Sequence, residues 1–170
     1  HIYSYAPVVH LLGCREALLK NVRIHAGPGM GIIAHRCGDV RLEGLRVEPS
    51  NDRAMSTNCD ASHFISCNGE IRITGCVFRG MGDDAANIHG FYLTVRRIEG
   101  RRVTVSLDVE PQDLEMDLPD TGDHLELVQP DTLLPYGVCT VRRVFWDGIS
   151  RRAELELAGD LSPEAVVGDL

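Results

Sequence analysis

Hydrophobic and polar positions alternate in three related stretches of the first half of the chain, which read CREALLKNVRI (14–24), CGDVRLEGLRV (37–47) and CNGEIRITGCVF (67–78). Alternation with a period of two is typical of β-strands, and interruptions such as Glu43-Gly44 and Thr74-Gly75 mark bends between short strands. Units of 23 to 31 residues with two or three short strands suit one coil of a parallel β-helix,. An ordinary β-sandwich with chance spacing is the alternative.

The alignment of these units also predicts which side chains stack on neighbouring coils. We expect four columns of apolar residues: Ala17 with Val40 and Ile71, Leu19 with Leu42 and Ile73, Val22 with Leu45 and Cys76, and Ile24 with Val47 and Phe78.

The second half of the chain has a different pattern, typical of antiparallel hairpins. The stretches 91–108 and 139–157 each alternate about a turn signal, at Glu99-Gly100 and Asp147-Gly148 respectively,. Residues 108–123 between them contain seven acidic residues and no basic one, which predicts a solvated loop, with calcium binding as the alternative,. The chain is therefore expected to be all-β, with parallel β-helix coils over 1–90 and a small antiparallel β-barrel module over 91–157.

Cysteine usage argues against a thiolate metal site. None of the six cysteines forms a C-x-x-C pair,. Cys14, Cys37 and Cys67 each open one repeat unit, so we expect them at related coil positions as free thiols, not as a disulfide-bonded set.

Charge and composition limit the classes of partner that the chain is expected to bind. The net charge is −8 and 44% of residues are hydrophobic, so the chain lacks the clustered Lys and Arg that nucleic-acid binding requires. No apolar run is long enough for a membrane span and no signal peptide is visible. Because the sequence begins at His1, we expect it to be part of a longer polypeptide, and homo-oligomer formation is left open.

Three aspartates are the candidate chemical centre. Asp83 and Asp84 are adjacent between glycines, and Asp60 precedes them by 23 and 24 residues, which is one repeat length. Equivalent positions on neighbouring coils stack roughly 4.8 Å apart. Crowded carboxylates differ in how readily they ionise, so one can serve as a general acid and another as a general base, as in glycoside hydrolysis.

Neutral and cationic residues accompany the acids and are candidates for binding sugar hydroxyls: Arg53, His63, Asn87 and His89. Taken singly, each is more often an ordinary surface or core residue. Because all four occur within one coil of the aspartates, a sugar-binding site around the aspartates is favoured.

The stretch RAMSTNCDASHFISCNGEIRITGCVFRGMGDDAANIHG (53–90) resembles glycoside hydrolase family 110, the inverting exo-α-1,3-galactosidases with a right-handed parallel β-helix. The resemblance implies that Asp60, Asp83 and Asp84 are catalytic, that no cofactor or metal is needed, and that the substrate is a galactose-terminated oligosaccharide or glycoconjugate. It also implies a β-barrel module after the motif. The closing residues VVGDL then resemble a return to the β-helix over 158–170, with later coils missing, and the protein is expected to be secreted or periplasmic.

A second resemblance, to polygalacturonase-type β-helix hydrolases, rests on the order Asn58-x-Asp60, Asp83-Asp84 and His89-Gly90. By analogy Asp83 is the general acid, and Asp60 with Asp84 holds the attacking water.

Two other functions are alternatives to that of an α-galactosidase. One is a non-catalytic β-helix that binds glycans or calcium through the same acids and Asn87. The other is a pectate-lyase-like enzyme, which needs calcium and a basic proton acceptor. Since no Lys follows Lys20, Arg53 or Arg79 would have to be that base.

Overall fold

The computed structural model describes residues 6–107, 118–147 and 152–170. These residues contain fifteen β-strands and no helix, and they separate into two compact units on either side of the Gly90–Phe91 bond. The described part of the chain thus has no helix with the length and apolar character needed to cross a membrane. The prediction of an all-β chain is confirmed.

The first unit consists of three parallel sheets that grow together along the chain. Its strands are β1 Val9–Leu12, β2 Glu16–Lys20, β3 Arg23–Ile24, β4 Ile32–His35, β5 Asp39–Glu43, β6 Arg46–Val47, β7 Ser62–Ile65, β8 Ile71–Thr74, β9 Val77–Phe78 and β10 Ala86–His89. The sheets have the orders β1-β4-β7-β10, β2-β5-β8 and β3-β6-β9. Each pass of the chain adds one strand to every sheet, an arrangement compatible with a β-helix.

The predicted stacking of apolar columns is confirmed by the strand register. Val40 lies between Ala17 and Ile71, and Leu42 lies between Leu19 and Ile73. The inward-facing side chains of the middle coil, Val40, Leu42, Leu45 and Val47, have no exposed surface, because this coil has a neighbour on each side. Burial of these alternate side chains is the main stabilising contribution to this unit.

The chain turns between the sheets through residues in the left-handed backbone region. Gly44 and Gly75, the two predicted bends, both have φ of 61°. A second set of corners follows strands β1, β4 and β7 of the four-stranded sheet, at Gly13, Arg36 and Ser66, with φ of 60°, 50° and 49°.

All six cysteines are free thiols. The backbone carbonyls of Cys14 and Cys37 accept equivalent hydrogen bonds from the following coil. The donors are the backbone N–H groups of Gly38 and Asn68, respectively. Burial raises the pKa of the Cys37 thiol, an effect that a hydrogen bond with the backbone of Cys14 opposes in part. The predicted column of unbonded cysteines is confirmed.

The second unit is one antiparallel sheet with the order β11-β12-β15-β14-β13. Its strands are β11 Thr94–Glu99, β12 Arg102–Ser106, β13 His124–Val128, β14 Pro135–Asp147 and β15 Arg152–Leu157. The two predicted hairpins are present as the β11–β12 and β14–β15 pairs. The turn residue Gly148 and acidic residues 108–117 lie outside the described residues.

The last residues of the chain pack against this second sheet. Val128 and Leu170 exchange two backbone hydrogen bonds, of 2.8 and 3.1 Å, and the Val95 N–H donates to the Asp169 carbonyl at 2.8 Å. The predicted return of the chain to further β-helix coils after residue 158 stays a prediction.

Candidate active site

The three candidate aspartates lie just before two adjacent parallel strands of the four-stranded sheet. Asp60 lies just before β7, and Asp83 and Asp84 lie just before β10, which pairs with β7. The Ala61 N–H donates to the Asp84 carbonyl at 2.9 Å, and the Asp84 N–H lies 3.4 Å from Asp60 Oδ1. One carboxylate oxygen from each of the three lies within 4.8 Å of the others. The structure thus brings together the group expected from the repeat length.

Burial divides the three carboxylates into two kinds. Asp60 is only 2% exposed, whereas Asp83 and Asp84 are both exposed. A buried carboxylate needs partners within the protein, while exposed ones can meet a ligand directly. The cluster therefore offers one internal acid and two accessible ones.

Glycines allow the backbone that carries these acids to approach the preceding coil. The Gly82 N–H donates to the Thr57 carbonyl at 3.0 Å, and a Cβ added at Gly82 would lie 2.4 Å from the Asn58 carbonyl oxygen. Gly31 has the same relation to Ala61, with 2.4 Å to its carbonyl oxygen. Both contacts are too close for any side chain, so these positions require glycine.

Two histidines extend the cluster along the outer face of the sheet. His63 Nδ1 lies 2.5 Å from Asp60 Oδ2, and His63 Nε2 lies 2.8 Å from His89 Nε2. The rings meet edge to face, with centroids 4.9 Å apart and planes at 87°. His89 Nδ1 in turn lies 3.1 Å from the Gly90 carbonyl oxygen. His63 is therefore engaged at both ring nitrogens by neighbours in the protein.

The other two predicted binding residues lie differently. Asn87 is the register partner of His63 on the neighbouring strand and is half-buried. Arg53 is exposed in the turn before β7, where its backbone N–H donates to Ser50. Within the described residues, the Arg53 side chain makes no hydrogen bond or ion pair with the cluster.

Cys59 and His35 are two neighbours that the sequence patterns did not single out. Burial, followed by the negative charges of Asp60 and Asp83, raises the pKa of the Cys59 thiol, so it stays protonated and neutral beside the carboxylates. His35, 8% exposed, lies on β4 in register with Ile65 of β7. The offset of 30 residues from His35 to Ile65 would have placed it on this sheet, because it equals the offset from Cys37 to Cys67.

This arrangement suits acid–base chemistry on an uncharged substrate. The three carboxyl groups offer oxygens within 4.8 Å of one another, and a carboxyl group that carries a proton can donate it while an ionised neighbour accepts another. The same three oxygens could contact one cation, but calcium takes six to eight oxygen ligands. Among the described residues, the three carboxyl groups account for three such oxygens.

Comparison with known proteins gives a consistent result. No protein-family model matches the chain. It is 31% identical over 134 residues to α-1,3-galactosidase B of Phocaeicola vulgatus, and 33% identical over 119 residues to α-1,3-galactosidase A of Shewanella woodyi. It is also 30% identical over 165 residues to α-1,3-galactosidase A of Akkermansia muciniphila.

These matches cover most of this chain but a small part of each relative. The aligned regions make up 77%, 68% and 90% of the chain, and 22%, 19% and 26% of the respective relatives. The chain therefore spans about a fifth to a quarter of the length of these curated proteins.

Proposed function

Because the chain belongs to glycoside hydrolase family 110, the α-1,3-galactosidases, we propose that the full-length protein releases terminal α-1,3-linked galactose from glycans by inverting hydrolysis. The observation that carries the proposal is the grouping of Asp60, Asp83 and Asp84 within 4.8 Å. In this proposal residues 8–90 are coils of a right-handed parallel β-helix, and the second unit is an inserted β-barrel module.

The roles of the aspartates are assigned by analogy with the order of the motif, and the burial of Asp60 supports placing it apart from the acid,. Asp83, exposed at the turn before β10, is assigned as the general acid that protonates the glycosidic oxygen,. Asp84 and Asp60 together act as the base that orients and deprotonates the attacking water. As the water adds to the anomeric carbon, the bond to the leaving oxygen breaks and the configuration inverts.

Asn87 and Arg53 are assigned to the sugar hydroxyls. Asn87 lies beside His63 on the sheet, and its amide both donates and accepts hydrogen bonds,. Arg53 is an exposed cation on the coil that carries Asp60. His63 and His89 lie beside the aspartates and Asn87, although their contact with each other limits what they can offer a sugar.

Inversion is proposed from the family resemblance. In inverting enzymes the two carboxyl groups are about 6.5–9.5 Å apart, against about 5–5.5 Å in retaining enzymes. The closest oxygens here lie within 4.8 Å, and because each oxygen projects from its carboxyl carbon, the groups themselves can be further apart. Such a cluster is compatible with a water between the acid and the base.

The test is galactose release by the full-length protein from linear and branched α-1,3-galactosides. We expect release from at least one of them, with β-galactose as the first anomer in a proton-NMR time course. α-Galactose as the first anomer would contradict inversion. No release from either substrate would contradict the proposed activity.

The carboxylate cluster also supports a second candidate, a glycan-binding or calcium-binding β-helix without catalysis. The two candidates differ in whether galactose is released. A hydrolase that uses only its own acids releases galactose and keeps this activity after dialysis against EDTA, and this is the result we expect. Calcium or glycan binding by a wild-type protein that releases no galactose would favour the second candidate.

A galactose-terminated oligosaccharide or glycoconjugate is the proposed partner, and such substrates place the enzyme outside the cytoplasm. Secretion or a periplasmic location is part of the proposal. Fractionation of the source cells tests it, with the full-length protein expected in the medium or the periplasmic fraction.

A further inference from the structure

A continuous series of hydrogen bonds runs from the carboxylate cluster to the end of β10. It joins Asp60 Oδ2 to His63 Nδ1 at 2.5 Å, His63 Nε2 to His89 Nε2 at 2.8 Å, and His89 Nδ1 to the Gly90 carbonyl at 3.1 Å. Both ends of the series are oxygens. The number of hydrogens that these contacts require determines the charge of the two histidine rings.

The Gly90 carbonyl oxygen can only accept, so His89 Nδ1 must carry a hydrogen. An ionised Asp60 likewise only accepts, so His63 Nδ1 must carry a second. The contact between the two Nε2 atoms needs a third hydrogen, because two bare ring nitrogens do not hydrogen-bond. Two neutral imidazoles hold only two ring hydrogens in all. The pair therefore carries one extra proton and a charge of +1 whenever Asp60 is ionised.

We propose that His63 and His89 are positioning residues that share this extra proton and hold its charge against Asp60, which fixes Asp60 as an ionised, base-side member of the cluster. This inference rests on the proposed function. It explains how a carboxylate that is 2% exposed stays charged within 4.8 Å of two others. A buried charge without a partner is costly, and the imidazolium is that partner.

The charges around the pair favour this arrangement. The titratable groups on the surrounding elements are Cys59 before β7, Asp83 and Asp84 before β10, His35 on β4, Arg36 at the corner after β4, and His10 on β1. The Cys59 thiol is neutral, because burial and the nearby acids raise its pKa. Asp83 and Asp84 each place a carboxylate oxygen within 4.8 Å of one on Asp60, and negative charge in this cluster favours the added proton on the histidine pair.

The first experiment counts the protons directly, and it does not depend on catalysis. The full-length protein is labelled with ¹⁵N-histidine, and the ring nitrogen shifts and N–H couplings are recorded at about pH 7.5, where a free imidazole (pKa about 6.5) is mostly neutral. We expect three ring hydrogens on the His63–His89 pair, and loss of the imidazolium signals in His89→Gln. The exposed His10→Gln variant is the control and leaves them in place. Two neutral rings in the wild type would overturn the proposal.

The second experiment separates charge from shape. Glutamine at position 89 can still donate one hydrogen to His63 Nε2, but it cannot carry the extra proton, whereas leucine can do neither. We expect His89→Leu to lower kcat by about tenfold to a hundredfold, the effect of one charge-assisted hydrogen bond, with a smaller change in KM. In both variants the acidic limb of the kcat/KM profile moves to higher pH, because Asp60 loses its counter-charge.

If the role of His89 is purely structural, we expect a different pattern. The His89→Gln variant then has the wild-type kcat and the wild-type pH profile, even where His89→Leu lowers kcat. That result would overturn the inference. Failure of the wild-type protein to release galactose would overturn the proposed function alone, since the proton count is measured independently of turnover.

Discussion

The three aspartates of the cluster differ in what surrounds each carboxylate. Asp60 is buried and hydrogen-bonded to His63, whereas Asp83 and Asp84 are exposed. Environment, and not residue type, divides acid and base roles among carboxylates in glycosidases. The buried and hydrogen-bonded position of Asp60 suits a group that orients its neighbours, and the accessible positions of Asp83 and Asp84 suit groups that exchange protons with substrate and water.

Replacing each aspartate by asparagine keeps its size and removes its acid–base function. We expect Asp60→Asn, Asp83→Asn and Asp84→Asn each to lower the turnover of the full-length enzyme by about 10²–10⁴-fold. The exposed Asp52→Asn variant, on the same coil as Asp60, is the matched control and keeps wild-type turnover. Circular dichroism of all four variants checks that the fold is retained. Near-wild-type turnover in any of the three would contradict its assigned role.

The aspartate group could be predicted from sequence because its members are one repeat length apart, and the coil spacing then places them together. The histidine pair could not be predicted in the same way. The repeat offset pairs His63 with Asn87, and the register confirms this. His89 reaches His63 because it is two residues further along β10 and so lies on the same face. Contacts of this diagonal kind depend on side-chain rotamers, which periodicity does not specify.

At the scale of single elements, the turn before β10 depends on its glycine. A methyl group at Gly82 would lie 2.4 Å from the Asn58 carbonyl oxygen, a backbone atom that cannot move alone. We expect Gly82→Ala to lower the free energy of unfolding by about 1–3 kcal/mol, the usual cost of overpacking. It should also lower turnover, because the displaced turn carries Asp83 and Asp84.

The matched control for this variant is Gly159→Ala, because nothing lies within 4 Å of a Cβ added there and its φ is not positive. Urea denaturation measures the stability of both variants, and galactose release measures turnover. Equal stability and turnover in the two variants would show that the close contact at Gly82 does not position the turn.

The sheets of the first unit are stabilised by the apolar columns that the repeats align. Leu42 is completely buried between Leu19 and Ile73, whereas Leu18, on the neighbouring strand of the same sheet, is 55% exposed. We expect Leu42→Ala to lower the free energy of unfolding by about 2–5 kcal/mol. Leu18→Ala should change it by less than about 0.5 kcal/mol. Denaturation midpoints compare them, and a similar loss in both variants would contradict the predicted core.

Strand pairing was predictable because a period of two and a fixed offset together specify register. The corners were predictable only in part. Gly44 and Gly75 are recognisable turn residues, whereas the equivalent left-handed conformations of Arg36 and Ser66 have no sequence signal. Such conformations cost about 1–3 kcal/mol in non-glycine residues. Hydrogen bonds between stacked coils offset that cost. The backbone N–H of Arg36 donates to the Ile65 carbonyl and that of Ser66 donates to the His89 carbonyl, both at 2.9 Å.

At the scale of the whole molecule, the chain consists of two units with separate hydrophobic cores. The sequence predicted the change of pattern at Phe91, because repeat offsets give way to hairpin signals there. It did not predict that the last residues would hydrogen-bond to β11 and β13, because a coil segment without periodicity carries no information about its partner. The second unit therefore depends on an anchor at the end of the described chain.

That anchor is the contact between Tyr136 and Asp169. The Tyr136 hydroxyl donates a short hydrogen bond to Asp169 Oδ2, and the Val166 N–H donates to the same oxygen at 2.9 Å. Asp169 is 5% exposed. Burial, and then the hydrogen bond and charge of Asp169, raise the pKa of Tyr136 to about 12, whereas an unfolded tyrosine titrates near 10.

Because the folded protein holds this proton more tightly than the unfolded chain does, the stabilisation is complete below about pH 10 and is lost as the pH rises from about 10 to 12. We expect Tyr136→Phe to lower the free energy of unfolding by about 1–3 kcal/mol at pH 8, since Asp169 loses a buried donor. The difference from wild type should narrow above pH 10. The exposed Tyr92→Phe variant is the control and shows no such difference. Urea denaturation at about pH 8, 10 and 11.5 measures it, and a difference that stays constant with pH would contradict the role assigned to the Tyr136 proton.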